Sequence, residues 1–91
     1  MAFQKTSILV SKTGNTYNTA EEWISEHGTC GITNEEVSFG EIIADGTDTV
    51  KRVLQFETEE IGQAFANTIK QRSSDERTWT TTHQHTGLIE V

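Results

Sequence analysis

The chain has 91 residues, with fourteen acidic against seven basic side chains and a formal charge of −7 at pH 7. That surplus of carboxylates argues against nucleic acids and anionic membranes as partners, since both present phosphate. The single cysteine, Cys30, excludes an internal disulfide framework, and the longest aliphatic run, Ile8-Leu9-Val10, is too short for a membrane span or a signal-peptide core.

The expectation is one cytoplasmic, soluble domain over residues 1–91. A chain of this size buries only roughly 60–65% of its unfolded surface, so a partner that adds buried area would help it. Phe3 to Ser11 alternates, with Gln4, Thr6, Ile8 and Val10 on one side and Phe3, Lys5, Ser7 and Leu9 on the other, which predicts a strand. Thr19-Ala20-Glu21-Glu22 has the form of a capping box. Ala20, Trp23, Ile24 and His27 follow as the stripe of a short helix that Gly28 ends.

Val37 to Ala44 alternates again, and Asp45-Gly46 predicts a tight hairpin into a third strand from Val50 to Glu57. Thr58 caps a second helix with Glu59 and Glu60 at its positive end and Lys70 and Arg72 at its negative end. Within it Gly62 costs about 1 kcal/mol against alanine, which signals close packing or mere tolerance. Thr78 to Val91 reads as a Thr-rich last strand, interrupted near Gly87.

The order β-α-β-β-α-β is the ferredoxin-like, split βαβ arrangement: an α+β fold with a four-stranded antiparallel sheet and both helices on one face. Val50, Leu54, Phe56, Val37, Phe39, Ile43, Ile8 and Val10 are expected to face the helices. Leu9, Val53, Ile42 and Leu88 then mark the other face, with Ser7, Thr80, Thr82, Gln84, Gln55 and Ser38 around them. An apolar stripe with a polar surround suits an interface, and a homodimer through this helix-free face is the expected assembly.

In length and element order the chain resembles the dimeric α+β barrel superfamily, whose small ferredoxin-like proteins pack two sheets face to face. The antibiotic-biosynthesis-monooxygenase-like proteins belong to it. The resemblance implies a homodimeric barrel and admits a small-molecule-binding protein or a cofactor-independent monooxygenase-like enzyme. Catalytic residues differ among these families, so none carries over. The competing class is a non-enzymatic acidic interaction protein, phage- or operon-encoded. Too few cysteines are present for an iron–sulfur ferredoxin or a Cys-x-x-Cys copper site, and no cofactor is implied.

The candidate ligand pocket lies between helices and sheet, lined by Trp23, Phe65, Trp79, His83 and His85, with Arg52 as a further candidate. His83 and His85 share strand parity with Trp79 and are weak metal candidates that need a third ligand. The bland alternative is two histidines hydrogen-bonded within a Thr-rich strand. Arg52 stands among inward positions; it requires a carboxylate, with Glu41 the obvious one, or a bound anion, unless it lies near the sheet end and snorkels out. The last reading is the one favoured from sequence. Cys30 between glycines reads as incidental, His27 as a helix-end residue favoured by the dipole, and Lys12-Thr13-Gly14 as a chance match.

Overall fold

The computed structural model describes the backbone of residues 2–70, 78–84 and 88–91, and side chains within 2–65, 78–81 and 88–91. Its elements are β1 (Phe3–Ser11), α1 (Ala20–His27), β2 (Phe39–Ala44), β3 (Thr49–Phe56), α2 (Glu59–Lys70), β4 (Trp79–Gln84) and β5 (Ile89–Glu90). The sheet runs β2-β3-β1-β4, with β5 also beside β1, and every pairing is antiparallel. This is an α+β architecture compatible with ferredoxin-like topology. It departs from the expected order by one strand, because the last strand is divided into β4 and β5.

Local chemistry sets the helix ends. The Thr19 hydroxyl accepts the Glu22 N–H at 3.2 Å, and the Glu22 carboxylate meets the Thr19 hydroxyl rather than its amide. Gly28, at φ 84°, stops α1 and donates its N–H to Ile24 O. The Thr58 hydroxyl accepts the Ile61 N–H at the start of α2. Gly62 answers a packing need: a Cβ there would lie 2.8 Å from Leu88 Cδ2 and 3.0 Å from Phe56 Cδ2.

The hairpin is looser than Asp45-Gly46 suggests. Ala44 pairs with Val50, leaving residues 45–49 between the paired positions. Only Gly46 takes a positive φ, and the Asp45 carboxylate accepts the Thr47 N–H and hydroxyl. Tyr17 docks onto this loop through a reciprocal pair, Gly46 N–H to Tyr17 O and Tyr17 N–H to Thr47 O.

That loop length reverses the expected faces of β2. A two-residue turn would pair Ala44 with Thr47 and place odd residues of β2 beside even residues of β3. The observed register joins even with even, Ile42 opposite Arg52 and Gly40 opposite Leu54. Ile42 is therefore buried, while Phe39 and Ile43 are exposed. β1 is reversed as well. Leu9 lies opposite Val50 and is buried, as are Ser7 and Lys5, whereas Ile8 and Val10 occupy the other face and are half-buried. Leu88 packs against the core rather than joining the outer set. For β3 the expected inward residues Val50, Leu54 and Phe56 are buried.

Both helices cover one face of the sheet, over two apolar clusters. Leu9, Tyr17, Trp23, Ile42, Val50 and Trp79 form the first, and Leu54, Phe56 and Phe65 the second. Val37 packs against the second from the approach to β2. Gly40 is the point of closest backbone approach, since a Cβ there would lie 2.5 Å from Ile32 O and 2.7 Å from Ile32 Cα. Backbone cannot yield as a side-chain tip can. Gly40→Ala is expected to lower stability by about 1–3 kcal/mol through overpacking. Chemical denaturation checks this, and unchanged stability would contradict the close approach.

Candidate functional site

The strand register places a polar row across the middle of the helix-covered face. Arg52 on β3 stands opposite Ile42 on one side and Ser7 on the other, and Ser7 in turn stands opposite Gln84 of β4. Arg52 is 2% exposed. This corrects the snorkelling reading, and Glu41 is not its partner: Glu41 pairs with Val53 and is exposed on the opposite face. Instead, Arg52 Nη1 donates to Cys30 O at 2.9 Å, and its guanidinium carbon lies 6.0 Å from the Trp79 ring centroid. Lys5, two residues before Ser7 on the same face, is also buried.

The proposed pocket residues thus fall into three places. Trp23 and Trp79 come together in the first cluster, where Trp23 has no exposure and its Nε1–H points at Cys30 Sγ, 3.3 Å away. Phe65 sits in the second cluster, 5.3 Å from Phe56 between ring centroids. Arg52 lies in the row between them. The β1–β4 register shifts between Ile8 and Leu9, pairing Thr81 with Leu9 but His83 with Ile8. Counting by twos from Trp79 therefore does not carry across to His83. The His83 side chain and all of His85 lie outside the described residues. Among the described residues no three His, Cys, Asp or Glu side chains converge as a metal site.

A second polar centre was not legible in the sequence. It forms where α1 ends against the C-terminal end of β1. His27 Nε2 lies 2.7 Å from the Tyr17 hydroxyl and 3.0 Å from Ser11 Oγ, and Nδ1 lies 2.6 Å from Thr78 Oγ1. The Tyr17 phenol donates to Glu26, and Asn15 Nδ2 donates to the same carboxylate at 2.7 Å. With the phenol proton committed to Glu26, the phenol oxygen accepts from His27 Nε2–H, and Nδ1 accepts from the Thr78 hydroxyl. Tyr17 is the chain's only tyrosine and stands in a loop without periodicity, so no pattern marked it.

A hydroxyl beside an imidazole is the geometry of an activated nucleophile. Here, however, Ser11 and Tyr17 are buried, and the His27 side chain is fully covered. An open groove of about 600 Å³ is lined by Asn15, Tyr17 and Glu26 of this centre together with Glu22, but not by Ser11 or His27. Comparison with family models, curated proteins and solved structures returns no match. No helix among the described residues is long and apolar enough to cross a membrane.

Burial pushes the His27 imidazole below its ordinary 6.5, and the Glu26 carboxylate opposes this. The folded chain therefore takes up that proton less readily than the unfolded chain. Its stabilisation is complete above about pH 6.5 and declines as pH falls toward the lowered folded value. The Tyr17 hydrogen bond is the chief cause holding the Glu26 carboxyl below its ordinary 4.5, so that contribution is lost only in stronger acid. Thermal melts from pH 8 to 5 should show a steeper loss in wild type than in His27→Asn; equal slopes would refute the assignment. Separately, Tyr17→Phe should cost about 1–3 kcal/mol in denaturant unfolding, because four polar partners, Ser11, Thr13, Glu26 and His27, lose one hydroxyl.

Proposed function

We propose that this chain is a ferredoxin-like protein that works as a homodimer, closing a dimeric α+β barrel through the open face of its sheet. Its activity on this reading is binding: an acidic interaction module rather than a hydrolytic centre at Ser11 and His27. One observation carries it. In a chain of charge −7, the open face is apolar and charge-balanced. Strand alternation puts Ile8, Val10, Phe39, Ile43, Val53 and Ile89 there, and its only charged strand positions among the described residues are Glu41 and Lys51.

Charge complementarity selects a second copy as the occupant. Two chains of this acidity repel across almost any other surface, whereas this face sets one acid and one base against their own equivalents. Its centre is apolar and its margin carries Gln4, Gln55 and Thr80, the composition of an interface with a polar rim. Pairing these faces leaves the helices outside. Glu21, Glu22, Glu59 and Glu60 then present exposed carboxylates to a basic partner. The covered Ser11–His27 centre supports binding over hydrolysis, since no substrate atom reaches the hydroxyl.

Light scattering at micromolar concentration is expected to give twice the 10.2 kDa chain mass. Val53→Asp should halve that value while far-ultraviolet circular dichroism stays unchanged, because it would bury a lone carboxylate in the interface. A wild-type mass near 10.2 kDa would reject the dimer. Leu9→Asp is no test of the interface, since Leu9 belongs to the core.

A further inference from the structure

We propose that two symmetric ion pairs fix the register of the homodimer, the Glu41 carboxylate of each protomer meeting Lys51 of the partner subunit. The inference rests on the open-face dimer and adds to it what aligns the two copies. Glu41 and Lys51 belong to a quartet of neighbours on β2 and β3. Glu41 stands opposite Val53 and Ile43 opposite Lys51, so the charges hold one diagonal and the apolar residues hold the other. On β2 the carboxylate is flanked on the same face by Phe39 and Ile43, which are 47% and 44% exposed. A partner that covers this apolar surface covers Glu41 with it.

Within one chain the two charges are left over. Gln55 Nε2 donates to Gln4 Oε1 at 3.0 Å, so the amides on this face satisfy each other. Neither the Glu41 nor the Lys51 side chain makes a hydrogen bond or an ion pair with a described residue, and both are exposed. Solvent satisfies them while the face is open. Under a second copy that solvent is lost, and an ion covered without a counter-ion is strongly destabilising.

An isologous contact can lay this acid and base over their own kind or over each other. The first doubles like charges in a desolvated contact; the second pairs every one of them. A two-fold axis between the sheets, along the Ile43–Val53 diagonal, gives the second. It lays Ile43 and Val53 over their own equivalents and carries Glu41 across to the Lys51 corner, where the flexible four-carbon stem of a lysine closes the remaining gap. Apolar contact on the axis then supplies buried area, while the ion pairs beside it set the alignment, because a shifted register would bring like charges together.

The experiment measures the dimer dissociation constant by sedimentation equilibrium. The samples are wild type, Glu41→Lys, Lys51→Glu, the double variant with both changes, and an equimolar mixture of the two single variants. Both positions are exposed, and far-ultraviolet circular dichroism checks that each variant folds. Glu41→Lys removes a negative charge and adds a positive one, taking the formal −7 to −5, so general repulsion alone would tighten the dimer. The ion pairs predict the reverse: each single variant weakens the dimer at least about tenfold, and the double variant recovers to within about threefold of wild type. The mixture is expected to form a heterodimer tighter than either variant forms alone. Lys12→Glu, exposed beyond the end of β1, makes the same charge change as Lys51→Glu and should leave the constant within about twofold. Should a reversal fail to fold, Glu41→Gln decides, weakening the dimer where general repulsion predicts tightening. A wild-type mass near 10.2 kDa refutes the dimer, and the pairing with it. A wild-type dimer that Glu41→Lys leaves as tight or tightens, or that the double variant does not restore, keeps the dimer and overturns the pairing.

Discussion

A guanidinium buried in the middle of the central strand β3 constrains the rest of this fold. A cation under cover costs several kcal/mol unless oxygen acceptors meet it. The chain supplies one from an unusual backbone. Gly28, Cys30 and Gly31 all take positive φ, and the turn they make offers the Cys30 carbonyl to Arg52. Cys30 thus matters through its carbonyl as well as through the thiol that receives the Trp23 indole N–H. Neighbouring positions must also admit the guanidinium, and Ser7 does so across the register. The apolar core divides accordingly. Val50 and Leu54, on either side of Arg52, belong to different clusters, and each helix seals one of them with a single aromatic anchor, Trp23 or Phe65.

The second constraint is the length of one loop. Side chains alternate along a strand, so a register change by one residue exchanges its faces entirely. The Asp45 carboxylate gathers Thr47 back toward itself and Tyr17 clasps the loop, which together favour a wider turn than Asp-Gly alone would make. Ile42 goes inward beneath α1, and Phe39 and Ile43 go outward beside Glu41. The apolar character of the open face is thus set as much by the five residues between Ala44 and Val50 as by the rest of the strand sequence.

Much of the architecture was legible, because its signals are local. Thr19 and Thr58 bond within one turn, Gly28 sits where a left-handed stop is needed, and strand alternation shows within nine residues. Faces were not legible, because they depend on pairings between distant segments. Lys5 and Ser7 made the odd residues of β1 look solvent-facing, while Ile8 and Val10 made the even ones look buried. Only the partners of Leu9, namely Tyr17, Trp23 and Trp79, decide otherwise. Arg52 showed itself as an anomaly of parity, but whether it lay inside depended on the Cys30 turn, which no periodicity encodes. The irregularity opposite Ile8 and Leu9 likewise defeats any count along the threonine run toward His83.

The imidazole of His27 shows how a catalytic geometry can serve a structural end. Its two nitrogens join three segments far apart in the chain: the end of α1 to Ser11 at the end of β1, and both to Thr78 at the start of β4. Nucleophilic catalysis needs the same hydroxyl–imidazole distance but also a path for the substrate and a base free to take a proton. Burial denies the path, and the three hydrogen-bonding neighbours already occupy the imidazole. What burial gives in exchange is a neutral clamp at neutral pH, favoured because the low-dielectric site resists a second proton. With α1 fixed at that end, the turn after Gly28 is held in place and so is the carbonyl that meets Arg52. The clamp and the buried cation are therefore successive links of one chain of support.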